Sequence, residues 1–167
     1  MSLENKFDNL KEYLKELKSI AVAFSSGVDS TFLLKTAKEI LKENVIAITV
    51  SSNLFPKREL NEAIEFCEKE NIKHIIIEND ALNIKDFSQN PPNRCYICKK
   101  NIFEEIKQIA KDNNIEYVVE GSNTDDDGDY RPGHQAIKEL GIISPLKKAQ
   151  LSKDEIRTLS QKFKLNT

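Results

Sequence analysis

Four short runs, SIAVAF (19–24), VIAITV (45–50), KHIIIE (73–78) and EYVVEG (116–121), are apolar at most consecutive positions rather than at every second one. A strand of that kind buries both faces, which is the condition of a parallel sheet covered by helices on each side. The segments between them carry the helical period. Leu3, Phe7, Leu10, Leu14 and Leu17 repeat at three- and four-residue spacing across residues 2–17. The segments DSTFLLKTAKEILKE, KRELNEAIEFCEKEN and CYICKKNIFEEIKQIAKDN continue the alternation. Farther on, RPGHQAIKEL begins a short helix with Pro132 in its first turn, and GIISPL (141–146) reads as a fifth strand. Ser152 with Glu155 three residues on forms the capping box of a last helix. The expectation is one α/β domain over 1–167, a doubly wound, Rossmann-like parallel sheet of about five strands with helices on both faces. Such folds place ligands at the carboxyl ends of their strands.

The 167 residues are enough for a single core, and the formal net charge is −2. That balance lacks the basic face that nucleic acid requires, so nucleic acid is not an expected partner. No apolar run approaches the roughly 20 residues that span a bilayer, and no basic-then-apolar leader opens the chain. No membrane role is therefore expected. Three cysteines, two of them as Cys95-x-x-Cys98, do not make a secreted disulfide framework. A cytoplasmic setting is expected, where a CxxC pair points to metal or redox chemistry.

The stretch IAVAFSSGVDSTFLL (20–34) carries the clearest chemical signal. A strand that runs through small residues into a helix aims several backbone N–H groups at one space, and the helix dipole adds positive potential there. Such a nest suits phosphate. Ser25, Ser26 and Ser30 add hydroxyls, and Gly27 permits the tight backbone. The stretch is neither a Walker A loop nor G-x-G-x-x-G. Asp29 would repel a phosphate, and a bridging Mg²⁺ resolves that conflict. The plainer alternative is that Ser26 or Asp29 only caps the helix.

Two further stretches carry candidate groups. In NPPNRCYICKKNIF, Cys95 and Cys98 have the spacing used for zinc, iron–sulfur clusters or dithiol redox, among the cations Arg94, Lys99 and Lys100. Cys67 follows Leu60, Ala63 and Ile64 on a helix face and is expected in the core, and His74 and His134 are isolated. VVEGSNTDDDGDYRPGHQA leaves the fourth strand at the same edge as the serine loop. There Gly121 allows close backbone approach, Ser122 and Asn123 can bond a nucleotide or its ribose, and Asp125 can steer Mg²⁺. Arg131 can pair bidentately with an anion. The plainer reading of Asp126, Asp127 and Asp129 is a solvated turn.

The loop SSGVDS resembles the pyrophosphate-binding S-G-G-x-D-S loop of the PP-loop ATP pyrophosphatases, with Ser26 where that pattern has glycine. Together with NRCYICK and EGSNTDDDGDYRPGHQAIKELGIISPL, it is similar to the LarE-type ATP-dependent sulfur transferases. The resemblance implies adenylation of a carboxylate of pyridinium-3,5-biscarboxylic acid mononucleotide, release of pyrophosphate, and replacement of AMP by sulfur. By that resemblance Ser25, Ser26, Gly27, Asp29 and Ser30 hold pyrophosphate with Asp29 near Mg²⁺, and Ser51 lies near adenosine. Cys95 and Cys98 match two ligands of a [4Fe-4S] cluster whose further ligand lies outside this chain. The resemblance implies ATP as cofactor, a small-molecule nucleotide substrate and a homo-oligomer, and it places a sulfur-transfer region after the end of this chain. A PP-loop tRNA thiolase and a non-catalytic adenine-nucleotide module with a structural CxxC metal clip are the alternatives.

Overall fold

All four apolar runs become strands: β1 (Ile20–Ala23), β2 (Val45–Ser51), β3 (Lys73–Glu78) and β4 (Tyr117–Val119). This computed structural model describes residues 2–25, 27–51, 57–78, 94–126 and 137–162, and of residues 94–99 and 126 only the backbone. The helices whose bounds lie among the described residues are α1 (Leu3–Leu17), α2 (Val28–Leu41), α3 (Lys57–Lys69), α4 (Arg94–Asp112), α5 (Pro145–Lys148) and α6 (Lys153–Lys162). Residues 137–139, within the RPGHQAIKEL segment, are also helical. The strands lie in the order β3-β2-β1-β4, all parallel. β1 pairs from Ile20↔Val45 to Ala23↔Ile48 on one side and from Ile20↔Tyr117 to Val22↔Val119 on the other. The strand order therefore reverses beside β1, which makes the carboxyl ends of β1 and β4 the topological switch point of the sheet.

The sheet has four strands among the described residues, not the five expected. From the GIISPL segment only Ile143 pairs, as a single parallel bridge to Val119. Its N–H donates to Val118 O at 3.0 Å, and its carbonyl accepts from Glu120 N–H at 2.9 Å. Two residues later Pro145 has no N–H to offer a ladder and instead opens α5, with Ser144 at its N-cap. The proline turns the chain into a helix before a strand can grow.

Consecutive strand residues serve opposite cores. Ile20, Val22, Val45 and Ala47 pack with Leu10 and Leu14 of α1, Phe32 of α2 and Ile156 of α6. Ala21, Ile46, Ile48 and Val118 pack with Phe103, Ile106 and Ala110 of α4. Burial on both faces explains why these strands read as unbroken apolar runs. Cys67 lies in the first cluster at 1% exposure, as its place on the apolar face of α3 predicts. Burial pushes its thiol up to about 12, so it packs as a neutral small hydrophobe.

The capping box of α6 forms as the sequence predicts. Ser152 Oγ accepts from Glu155 N–H at 3.2 Å, and Glu155 Oε1 accepts from Ser152 N–H at 3.0 Å. Lys6 Nζ donates to both Glu155 oxygens at 2.9 Å, which ties α1 to α6. Burial raises the Glu155 pKa, but the Lys6 and Ser152 hydrogen bonds and the Lys6 charge outweigh it and hold the carboxyl below its ordinary 4.5. The unfolded chain thus takes up this proton first as pH falls. The stabilisation is complete above pH 4.5 and is lost as pH drops through the lower folded value. Glu155→Ala is expected to cost about 1–2 kcal/mol at neutral pH, whereas Glu155→Gln, which keeps the box, costs less than about 1 kcal/mol. Urea unfolding at neutral pH and well below pH 4.5 checks this, with both differences shrinking at the acid end.

Candidate functional site

The loop after β1 is anchored from beneath. Phe24 N–H donates to Ile48 O at 2.9 Å, extending the β1–β2 ladder by one residue. The Thr49 hydroxyl donates to Phe24 O at 2.9 Å, so its oxygen is left to accept from His74 Nε2–H at 2.7 Å. Burial lowers the pKa of His74, which favours the neutral ring, and the bond to Thr49 then selects its Nε2–H tautomer. Phe24 itself is wedged against the Phe66 and His74 rings.

From there the chain folds back on its own helix. Ser25 N–H donates to Ser30 Oγ at 3.3 Å, and the two hydroxyl oxygens lie 3.2 Å apart. The N-cap of α2 is Gly27, at φ −71° and ψ 167°, and its carbonyl accepts from Thr31 N–H at 2.9 Å. The cap position thus carries no side chain, and Asp29 does not cap the helix. Its carboxylate turns toward the loop after β4. Oδ2 accepts from Asn123 Nδ2–H at 2.9 Å, and Oδ1 lies 3.2 Å from Lys153 Nζ. Oδ1 is fully enclosed yet has no hydrogen-bond donor among the described residues. The lysine is close enough to pair by charge but does not align an N–H on it.

The β4 loop reaches Asp29 because Gly121 lets it. A Cβ at residue 121 would stand 3.0 Å from Ser30 N and 3.3 Å from Asp29 C and Ser30 Cα. Any side chain here would force one backbone to give way by a few tenths of an ångström. Below it Glu120 is buried, and its Oε2 accepts from both Ser122 N–H at 2.8 Å and Ser122 Oγ–H at 2.7 Å. Ser144 Oγ–H donates to the other Glu120 oxygen. Asn123, 3% exposed, uses its Oδ1 to accept from Asp125 N–H at 2.8 Å. Asp125 Oδ2 in turn accepts from Lys153 N–H at 3.2 Å, which joins the start of α6 to the same group.

Ser25, Gly27, Asp29, Ser30, Gly121, Asn123 and Asp125 therefore gather at the switch point. Ser51 ends β2 in register with Glu78, at the same carboxyl edge of the sheet. Cys95 and Cys98 fall in the first turns of α4, whose Phe103, Ile106 and Ala110 pack on the sheet face opposite α2. Their side chains, and Ser26, Asp127, Asp129, Arg131 and His134, lie outside the described residues. Two participants escaped the sequence reading. Glu120 left a faint trace, a carboxylate closing an apolar strand just before glycine. Lys153 left none, because a lysine opening a solvated helix looks like any other.

A family model for the PP-loop domain matches residues 1–127. The chain belongs to the PP-loop family. Among the relatives of this PP-loop protein is a pyridinium-3,5-bisthiocarboxylic acid mononucleotide synthase of Lactiplantibacillus plantarum, 34% identical over 167 residues. That match covers 98% of this chain and 60% of the relative. The PP-loop chain spans 59–60% of the length of three curated relatives that are 33–41% identical to it. Two solved structures share the fold. An NH3-dependent NAD synthetase of Campylobacter jejuni superposes with a TM-score of 0.73 at 18% identity, covering 99% of this chain and 75% of that one. The U34-tRNA thiolase NcsA of Methanococcus maripaludis, with its [4Fe-4S] cluster, gives 0.70 at 19% identity, covering 98% and 66%.

Proposed function

We propose that this chain is the ATP-activating part of a sulfur transferase that adenylates a carboxylate of pyridinium-3,5-biscarboxylic acid mononucleotide, releases pyrophosphate and yields a thiocarboxylate. The observation that carries the reading is the pairing of a glycine-capped helix with an enclosed Asp29 Oδ1 that has no donor among the described residues, at the switch point. In this reading the N–H groups of the first turn of α2 hold the departing diphosphate, with the Ser25 and Ser30 hydroxyls beside them, which the glycine cap and the Ser25–Ser30 contact support. A carboxylate is a poor electrophile. When its oxygen bonds to the α-phosphorus of ATP and the bond to pyrophosphate breaks, the acyl carbon gains AMP as a leaving group. Donors fixed before the reaction lower the charge-separation cost of that step.

The donor set suits Mg²⁺. Asp29 offers a hard carboxylate oxygen with no hydrogen-bond donor among the described residues, and Asn123 steadies the other oxygen. When bound, the cation supplies charge neutralisation on the leaving diphosphate. The thiols suit a [4Fe-4S] cluster only in part. Cys95 and Cys98 provide two, while Cys67 is enclosed and protonated in the first core. The set is incomplete in this chain, and no sulfur-delivery step follows from it.

The test is stoichiometric release of pyrophosphate and AMP from ATP, dependent on Mg²⁺ and on the pyridinium biscarboxylate. Firm ATP binding with release at background for that substrate would favour a non-catalytic module. Tight, salt-sensitive tRNA retention on a filter would favour a thiolase instead. The assay is run on the chain with its full-length relatives as positive controls.

A further inference from the structure

The pairing of Asp29 with Lys153 is not needed to fold either element. α2 is buried through Phe32, Leu33 and Leu34, and α6 carries its own capping box. Yet the ammonium of Lys153 stands 3.2 Å from the Asp29 oxygen that lacks a donor among the described residues, although its own side chain keeps 32% exposure. An ammonium there occupies the position that a metal on Asp29 Oδ1 would claim. The main chain of Lys153 is fixed separately, through its N–H on Asp125 Oδ2 at 3.2 Å. The side chain can therefore leave Asp29 while its root stays at the mouth of the site.

We infer that Lys153 is a resident counter-cation for Asp29, holding the carboxylate in place until a divalent cation displaces it. Two cations cannot share one enclosed oxygen at contact distance without strong repulsion, so the exchange is competitive. In the resting protein Lys153 holds the Asp29 carboxylate turned toward Asn123, so that the oxygen is prepared for the metal. Once displaced, the ammonium remains tethered beside the space over α2 and adds positive charge facing an incoming polyphosphate. Lys153 is a positioning residue in this account, and its role rests on the assignment of the metal to Asp29.

Competition has a signature that a purely structural ion pair lacks. With the lysine occupying the oxygen most of the time, metal affinity is reduced by the fraction of protein in the vacated state. Mn²⁺ is titrated into nucleotide-free protein and the unbound ion is read by electron paramagnetic resonance. Lys153→Met is expected to bind Mn²⁺ about tenfold more tightly than the parent, while Lys153→Arg stays near the parent value. Lys153→Met should also melt lower in EDTA, with Mn²⁺ closing the gap. Equal Mn²⁺ affinity in the parent and Lys153→Met, or no binding by either, overturns the inference. Absence of binding that persists with α,β-methylene-ATP present overturns the metal assignment beneath it as well.

Discussion

Asp29→Asn is expected to reduce ATP-dependent pyrophosphate release by about two to three orders of magnitude, a loss of about 2.7–4 kcal/mol in transition-state stabilisation. The substitution is nearly isosteric. An asparagine oxygen still accepts from Asn123 Nδ2–H, so the link between the β1 and β4 loops survives. What disappears is the negative charge on an enclosed oxygen with no hydrogen-bond donor among the described residues. Lys153 loses its partner, but with a third of its side chain exposed it can turn to water at small cost. Thermal unfolding should therefore stay close to the parent while turnover collapses. Pyrophosphate release coupled to phosphate detection, with calorimetry on the same samples, reads both quantities. Near-normal turnover in Asp29→Asn would remove Asp29 from the chemistry.

Gly121→Ala should injure the site by geometry alone. The added methyl meets Ser30 N at 3.0 Å and two further backbone atoms at 3.3 Å. Those atoms belong to the first turn of α2 and cannot rotate aside as a side chain would. The β4 loop must back away by a few tenths of an ångström, and Asn123 and Asp125 move with it. Overpacking of this kind costs about 1–3 kcal/mol of stability. Misplacing groups that orient a reaction costs about 10- to 100-fold in rate. Urea unfolding and pyrophosphate release should fall together, in contrast to Asp29→Asn. A Gly121→Ala protein with parental stability and turnover would show that the two loops need not touch.

Much of the scaffold was legible because the signal was local. Each of the four paired strands coincides with an apolar run to within two residues at either end. In β1 and β2 burial on both faces is written residue by residue into the strand itself, whereas β3, at the edge of the sheet, leaves Ile76 exposed. The packing of Cys67 and the Ser152–Glu155 box were likewise readable from spacing of three and four positions. The segment 141–146 misled because apolarity alone does not guarantee a ladder. Ile142 and Ile143 are apolar as a strand requires, but Pro145 ends the pairing at one bridge. The SSGVDS loop announced a strand-to-helix turn at the mouth of β1, yet not that Gly27 rather than Ser26 or Asp29 would occupy the cap.

The amino-acid order on its own determined a parallel sheet with two covered faces and a small-residue loop at the mouth of β1. Both depend on contacts between near neighbours and on side-chain polarity. The tertiary structure decided what surrounds Asp29. Asn123 comes from 94 positions away and Lys153 from the start of the last helix, brought in by β4 pairing beside β1 and by α6 packing against α2. No periodicity records such a meeting, because the pairings that create it are set by how whole strands and helices stack, and the energy of one amide or one ammonium leaves no pattern in the chain.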